Sequence, residues 1–499
     1  MKKHYLIICL LICSFLAMAQ PGSLDLSFTL ASSLPNSGKV FSMALQPDGK
    51  IIVPYRRIVS QGVFIDKVVR VNADGTVDPS FDSGTGLDGR VNTIVLQPDG
   101  KMLIGGDFTT YNGVSRNRIS RLNSDGSLDM LFNPGVGANS EVNTISLITN
   151  GLNNGRILIG GSFTSYDGVS SNRIARLRAD GTLDTIFNPG DGADGRVESI
   201  VLQPDGKILV GGYFTTFDGE NSKKIARLNS NGSFDASFNI GNGVDNGGVE
   251  TIALQPDGKI LIGGGFGTVN EVFKKKIARL NSNGSLDEDF NSLELATTAV
   301  GDYVYSIVLQ PDGKILVGGD FNCIFYIDPY PSIMIRSDFL RLNQDGTYDF
   351  DFNSIGQGAL STVRSIAVQP NNKILIGGDL WIYNSNTIDF IARINGGESI
   401  KTQIDPSFCG QSLQGLNSIV FAQNPSESEL EVASITSYSF KITNLSTNEE
   451  QVLVKNSTTF QLTETSFATY NTSYSIEVAL QIDGGWHPYG LPCVVTTPN

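Results

Sequence analysis

The sequence predicts an all-β chain, a seven-bladed β-propeller followed by a small β-sandwich, and three observations carry that prediction. A turn motif, Gln-Pro-Asp-Gly-Lys, returns along the chain at intervals of 51 to 59 residues. Between its copies lie short apolar, β-branched runs separated by Asp-Gly turns, where glycine accepts positive φ at no steric cost. Nowhere in the repeat is there the 3.6-residue apolar period of an amphipathic helix, which excludes leucine-rich, ankyrin and helical solenoids.

Residues 1–19 read as a secretory signal. Lys2 and Lys3 give a basic start, and Tyr5 to Leu16 is apolar but too short to span a bilayer. Ala17-Met18-Ala19 offers the small-x-small pattern of a cleavage site, with Gln20 as the new terminus. The expected mature protein is secreted or at the cell surface, without membrane insertion. Removing the two lysines takes the formal charge from −14 to −16. Such an acidic chain is a poor partner for nucleic acid or an anionic membrane surface.

Residues 20–397 hold the repeat. The motif is intact at Gln46–Lys50, Gln97–Lys101, Gln203–Lys207, Gln255–Lys259 and Gln310–Lys314, has Asn371-Asn372 in its turn at Gln369–Lys373, and is degenerate before Gly155-Arg156. These mark seven copies, numbered here as repeats 1 to 7. Repeat 2 shows the grammar. Strand a is expected at Val91 to Gln97, strand b at Lys101 to Gly106, strand c at Arg118 to Asn123 and a short strand d at Ser127 to Phe132. Four such strands with their turns fill one blade. Repeat 7 has a, b and c only, while Leu24 to Phe28 is a d strand without a blade. The N-terminal segment is therefore expected to pair near Arg393 and close the ring, leaving no open sheet edge.

Residues 400–499 have alternating strands such as Tyr438 to Ile442 and Tyr474 to Val478, with Ser/Thr/Asn-rich loops between them. This pattern reads as a β-sandwich.

The repeat unit, Gln-Pro-Asp-Gly-Lys-Ile-Leu-Val-Gly-Gly with Ile-Ala-Arg-Leu-Asn and Asp-Gly-Ser-Leu-Asp-x-x-Phe-Asn, resembles the delta-60 repeat of secreted bacterial proteins. That resemblance implies a propeller and no defined activity. Pro406 to Gly410, Tyr474 to Leu480, Gly485-Trp486, Tyr489-Gly490 and Cys493 to Pro498 resemble a fibronectin/Ig-like module of exported Bacteroidetes proteins. Proteins of that kind often end in a sorting domain for type IX secretion. Here Asn499 falls at the last expected strand, and released and surface-held forms both stay open.

Seven copies in one chain separate scaffold from candidate site, because scaffold positions repeat and site positions vary. An arginine recurs on strand c (Arg70, Arg121, Arg176, Arg227, Arg279, Arg341, Arg393) and an aspartate on strand d (Asp25, Asp78, Asp129, Asp184, Asp235, Asp287, Asp349). They are expected to pair with each other rather than to bind anions or calcium. A hydroxyl recurs on strand a, from Ser42 and Thr93 to Ser306 and Ser365, and is expected to be buried between blades.

Catalytic signals are sparse. The mature chain has one histidine, His487, so no Ser-His-Asp set, Cys-His set or His/Cys metal cluster is expected in the propeller, and no cofactor. Glu198 and Glu250 hold one strand-a position in adjacent repeats, with Arg364 across the ring. They are weak candidates for an acid/base pair of a glycoside hydrolase or lyase at the channel mouth. The favoured ligand site is elsewhere. The b–c connection of repeat 6, Asn322 to Asp338, is a long loop carrying Phe325, Tyr326 and Tyr330, and a second insertion, Asn291 to Asp302, brings Glu294 and Asp302 to the same face. Aromatic faces beside carboxylates suit a glycan or a protein partner. The reading is a monomeric binding or adhesion scaffold rather than an enzyme, with a carbohydrate enzyme or a ligand-free spacer as alternatives. Cys409 and Cys493 are expected to form a disulfide that staples the ends of the sandwich.

Overall fold

The computed structural model describes residues 20–30, 38–60, 63–149, 151–274, 276–291, 303–321, 323–327, 330–335, 337–352 and 358–397. Of the remainder it describes 403–404, 419–423, 435–447, most of 449–482, 485–486 and 493–497. Its regular structure is β, apart from short 3₁₀ turns such as Gly151–Asn153 and Leu462–Glu464.

Repeat 2 sets the pattern. Strand a (Val91–Leu96) pairs antiparallel with strand b (Met102–Gly106), which pairs antiparallel with strand c (Ile119–Leu122). The a–b turn is closed by Gly100 at φ 82°, whose N–H donates to the Gln97 carbonyl at 2.9 Å. Strand b is wholly buried in the middle of the sheet. Its Gly-Gly end is imposed by close approach. A Cβ on Gly106 would collide with the Arg90 carbonyl, and one on Gly105 would press into Val142 of repeat 3. Sheets of the same order follow, centred on Ile157–Gly161, Ile208–Gly212, Ile260–Gly264, Ile315–Asp320 and Ile374–Gly378. In repeat 1 the b and c strands are one long hairpin, Ile51–Ser60 with Val63–Val71.

Hydrophobic cores lie between successive sheets. Leu103 and Ile119 of repeat 2 pack with Val142, Ile159, Phe163 and Leu177 of repeat 3. Leu375, Phe390 and Ile391 of repeat 7 pack with Val40, Met43, Ile51 and Val53 of repeat 1, so the last sheet meets the first.

Three local expectations need correction. Strand d is not a strand: in repeat 2 it is a single bridge, Leu122 to Leu128, because the Asp129 carboxylate then accepts the Leu131 N–H at 2.9 Å and turns the chain. The b–c connection is not a plain loop: Thr110–Tyr111 and Val114–Ser115 form a small hairpin around Asn112-Gly113, both at positive φ. The repeat 6 connection is likewise a hairpin, Cys323–Ile327 with Tyr330–Ile335.

The N-terminal segment lies where the orphan strand was expected. Leu24 bridges Ile394, the Asp25 N–H donates to the Arg393 carbonyl at 2.8 Å, and the Asn395 N–H donates to Ser23 at 2.9 Å. Tyr383 Oη donates to the Gly22 carbonyl at 2.6 Å.

In the tail, Ile435–Asn444 pairs with Glu450–Lys455 and with Ser473–Ile482, which also takes Gly485–Trp486 and Cys493–Thr496. A smaller sheet joins Gln403–Ile404, Ile419–Gln423 and Thr459–Gln461. Tyr438, Phe440 and Ile442 alternate into a core with Phe460, Ile476 and Val478. Residues 1–19 and Cys409 lie outside the described residues, as does the Cys493 side chain. No helix among the described residues is long and apolar enough to cross a membrane.

Asp25→Ala should destabilise the protein by about 3–5 kcal/mol, the cost of stranding buried cations without their partner. Asp129→Ala, at the equivalent place inside the chain, should cost the same. Urea unfolding checks both, and a wild-type midpoint for Asp25→Ala overturns closure by the N-terminal segment.

Candidate functional site

The repeated charges form scaffold. Asp129 Oδ2 accepts from Arg121 Nε at 2.7 Å and from Lys101 Nζ at 2.8 Å. The Arg121 guanidinium lies 5.0 Å over Phe132 and donates to the Ala179 carbonyl in the turn of repeat 3 at 2.6 Å. The same cluster forms on Asp78, Asp184, Asp235, Asp287 and Asp349, with Arg156 replacing lysine at Asp184. Lys373, Arg393 and Asp25 complete the set, and Arg393 donates to the Ala73 carbonyl of repeat 1. Among the described residues, no group of three or more His, Cys, Asp or Glu is arranged to hold a metal.

Burial pushes the Asp129 carboxyl up, but hydrogen bonds from Lys101, the Leu131 N–H and Arg121 outweigh it and bring it down to about 2. Asp25, Asp78 and Asp235 are held lower still by the same kinds of donor. A depressed folded pKa gives stability that is complete above the unfolded value near 3.9 and drains away as pH falls toward the folded one. Cooperative acid unfolding should therefore set in below about pH 4; circular dichroism against pH measures it.

The variable positions meet in one place. In repeats 2 to 7 strand a carries a bulge between its first valine and the recurring hydroxyl. A bulge re-aims one side chain without breaking the sheet. The re-aimed residues are Asn92, Asn143, Glu198, Glu250, Tyr305 and Arg364, with Phe41 at the matching position of repeat 1. All seven line a single cavity of about 450 Å³, joined by Arg90, Glu141, Arg196 and Ser162. The recurring hydroxyls next to them are only half-buried. Ser42 and Ser199 accept N–H groups from the next repeat, Ile94 at 3.3 Å and Ile252 at 3.2 Å.

Within this mouth each arginine lies against an aromatic ring. Arg196 is 3.7 Å from the Tyr213 centroid, Arg90 is 5.0 Å from Phe41, and Arg364 is 5.2 Å from Phe41 and 4.9 Å from Tyr305. Arg196 Nε donates to Glu198 at 2.5 Å, Arg90 Nε to Asn92 at 2.6 Å, and Tyr213 Oη to Glu250 at 2.5 Å. Arg364 is held by Asp379 at 3.3 Å. Burial and then the Glu250 charge push the Glu198 carboxyl up to about 7, against the pull of Arg196. Burial also raises Glu250, opposed by Tyr213, Arg196 and Arg364.

The structure thus brings Glu198, Glu250 and Arg364 together. Glu294 and Asp302 lie outside the described residues. Phe325, Tyr326 and Tyr330 are placed by their strands, with Phe325 opposite Ile333 and Ile327 opposite Tyr330, and their side chains lie outside the description. Arg196, Tyr213, Tyr305 and Phe41 were missed in the sequence. The signal was there: they hold variable positions just before or near the start of strand a, or just after Gly-Gly.

A family model described as a domain of unknown function (DUF5122) β-propeller matches residues 55–81, 97–132, 152–187, 203–238, 255–290, 310–324 and 369–396. The chain is a β-propeller repeat protein. Comparison of this propeller with curated proteins gives no match. Among solved structures it is similar to virginiamycin B lyase from Staphylococcus aureus, at 14% identity and TM-score 0.40 over 72% of this chain and 96% of that one. It is also similar to a gluconolactonase from Xanthomonas campestris, at 15% identity and TM-score 0.34 over 60% and 87% of the two chains. A third is a protein of unknown function from Dyadobacter fermentans, at 13% identity and TM-score 0.35 over 74% and 97%.

Because the folded Glu198 pKa is raised above its unfolded value, its contribution is complete at acid pH and lost as pH rises through about 7. Glu198→Gln should therefore gain melting temperature over wild type at pH 8, and the gain should vanish by pH 5. A constant difference between the two pH values contradicts this account of the mouth.

Proposed function

We propose that the protein is an extracytoplasmic binding scaffold: a seven-bladed propeller over residues 20–397, exported by its first 19 residues, with a fibronectin-like sandwich over 400–499. Its ligand is a neutral sugar of a glycan, taken at the channel mouth. The observation that carries this reading is the convergence of seven equivalent strand a residues, one from each repeat and mostly different in kind, on one cavity. A volume of about 450 Å³ is within the range of ligand sites. Sugar hydroxyls both donate and accept, and the mouth offers both: Arg90, Arg196, Arg364, Asn92 and Asn143 donate, while Glu141, Glu198 and Glu250 accept. Arg90 and Arg364 are met by Glu141 and Asp379, and Arg196 stands beside Glu198 and Glu250, so little net charge is left to draw an ionic ligand even while Glu198 holds its proton. Phe41 and Tyr305 give apolar faces for the C–H side of a ring.

The mouth replaces the repeat 6 hairpin with Phe325, Tyr326 and Tyr330 as the leading site, because its side chains form a defined cavity. A second reading, a carboxylate-dependent glycoside hydrolase, is favoured by one observation. Glu198 keeps its proton to about pH 7 beside Glu250, which is oriented by Tyr213. The two readings differ in product.

An array of neutral oligosaccharides should retain the protein, and Glu198→Ala or Arg364→Ala should each weaken retention about tenfold, the value of one charged hydrogen bond. Loss of binding in Tyr326→Ala/Tyr330→Ala alone would move the site to repeat 6. Release of reducing ends by wild type and not by Glu198→Gln would select the hydrolase. Retention of no oligosaccharide would leave the spacer.

A further inference from the structure

The tail carries a strand edge that nothing covers among the described residues. In its larger sheet Glu450–Lys455 lies outermost and pairs on one side only, with Ile435–Asn444. The Asn444 N–H donates to the Glu449 carbonyl at 2.8 Å, which sets the phase of the ladder. Glu449, Gln451, Leu453 and Lys455 turn their backbone groups inward to that neighbour. Glu450, Val452 and Val454 turn theirs outward, a row of N–H and C=O groups without a partner among the described residues.

Other edges of this protein are blunted. In the propeller, strand c is bridged by the segment after it, as Leu122 is by Leu128, and residues 22–28 close the ring. The far side of the tail sheet is split between two short strands, Gly485–Trp486 and Cys493–Thr496. Glu450–Lys455 has no proline, no glycine and no bulge in its six residues. These are the devices that keep an edge from pairing with another chain. Its lysine, Lys455, stands at the very end of the strand and is held by Glu464. Along the face turned away from the core, Val452 is 47% exposed and Val454 60%.

We infer that this edge pairs antiparallel with the same edge of a second copy, joining two tail sheets across a twofold axis. Such an axis stands perpendicular to the sheet and keeps like faces together, so Val452 can lie opposite Val452 of the second copy. Glu450 then lies opposite Val454 of that copy, and every outward N–H and C=O of the row finds an acceptor or a donor. The same register sets Glu449 opposite Lys455 of the other copy at both ends, and it brings β-branched Val452 and Val454 together on one face. A slip of two residues either way loses both charge pairs and the bonds of the end residues. A foreign strand would have to bring its own glutamate and lysine at this spacing, whereas this strand carries both.

Sedimentation velocity on the full chain over about 1–100 µM tests it. One strand pair makes a small interface, so wild type should pass from monomer to dimer within that range. Val452→Glu sets two carboxylates opposite each other across the axis and should weaken the dimer by at least about tenfold. The position is exposed, so the melting temperature should stay that of wild type. Val452→Cys should cross-link two copies on mild oxidation, because opposite Cα atoms in such a pair lie about 5.5 Å apart, within disulfide reach. Val454→Cys, opposite Glu450, should not. A wild type that stays monomeric throughout overturns the inference, as does a dimer that survives Val452→Glu. Faster cross-linking of Val454→Cys than of Val452→Cys overturns the twofold register.

Discussion

The aspartate at the end of each repeat is the point on which the ring of sheets depends. One carboxylate oxygen takes the strand c arginine and the basic residue that opens strand b, so two strands and the segment that follows them meet on it. The guanidinium then reaches past the sheet to a turn carbonyl of the next repeat, as Arg121 does to Ala179 and Arg227 to Ser282. Arginine suits this place because its planar fork serves a carboxylate, a carbonyl and an aromatic face at once. Its burial is tolerable because Nε is paired with the aspartate and a terminal nitrogen with the turn carbonyl. The same requirement ties each sheet to its neighbour and leaves the position no freedom to vary.

That rigidity frees the inner strand. Hydrophobic packing between sheets uses the valine and isoleucine of strand a, while the bulge turns the residue between them toward the axis. Its identity does not disturb the sheets, so the repeats differ there without losing their common frame. Phe41, Asn92, Asn143, Glu198, Glu250, Tyr305 and Arg364 are the result, and the charges among them are paired locally rather than through the scaffold. Scaffold and site occupy the same strands at different positions.

Much of this was legible in the sequence because the repeat prints its own rules. Gln-Pro-Asp-Gly-Lys fixed the a–b turn, and the absence of a d strand in repeat 7 pointed to Leu24. The Arg–Asp pairing was legible from its recurrence, but the basic residue's share in it was not, since a lysine after a turn also suits solvent. Strand d was overread: Leu-Asp alternates as a strand would, yet the aspartate side chain competes for the backbone and ends it. The Asn112-Gly113 turn was a readable hairpin signal passed over in a connection. Glu198 and Glu250 were legible as neighbours from their shared register. Arg196 and Tyr213 were passed over, although they too hold positions that vary from repeat to repeat, just before strand a and just after Gly-Gly.

The closure by residues 22–28 has a consequence for how the chain is made. Asp25 and Arg393 are 368 positions apart, and the first must wait for the last. While the chain grows from its N-terminus, Asp25 has no cation and Leu24 no strand to bridge, whereas repeats 1 to 6 each have all their parts in sequence. Local order can thus accumulate sheet by sheet, but the seam joins only when strand c of repeat 7 arrives. Until then both faces of the seam, the apolar side of repeat 1 and the edge of repeat 7, stand open to other chains. Completion of the ring is then a single late step that converts an open row of sheets into a body without ends.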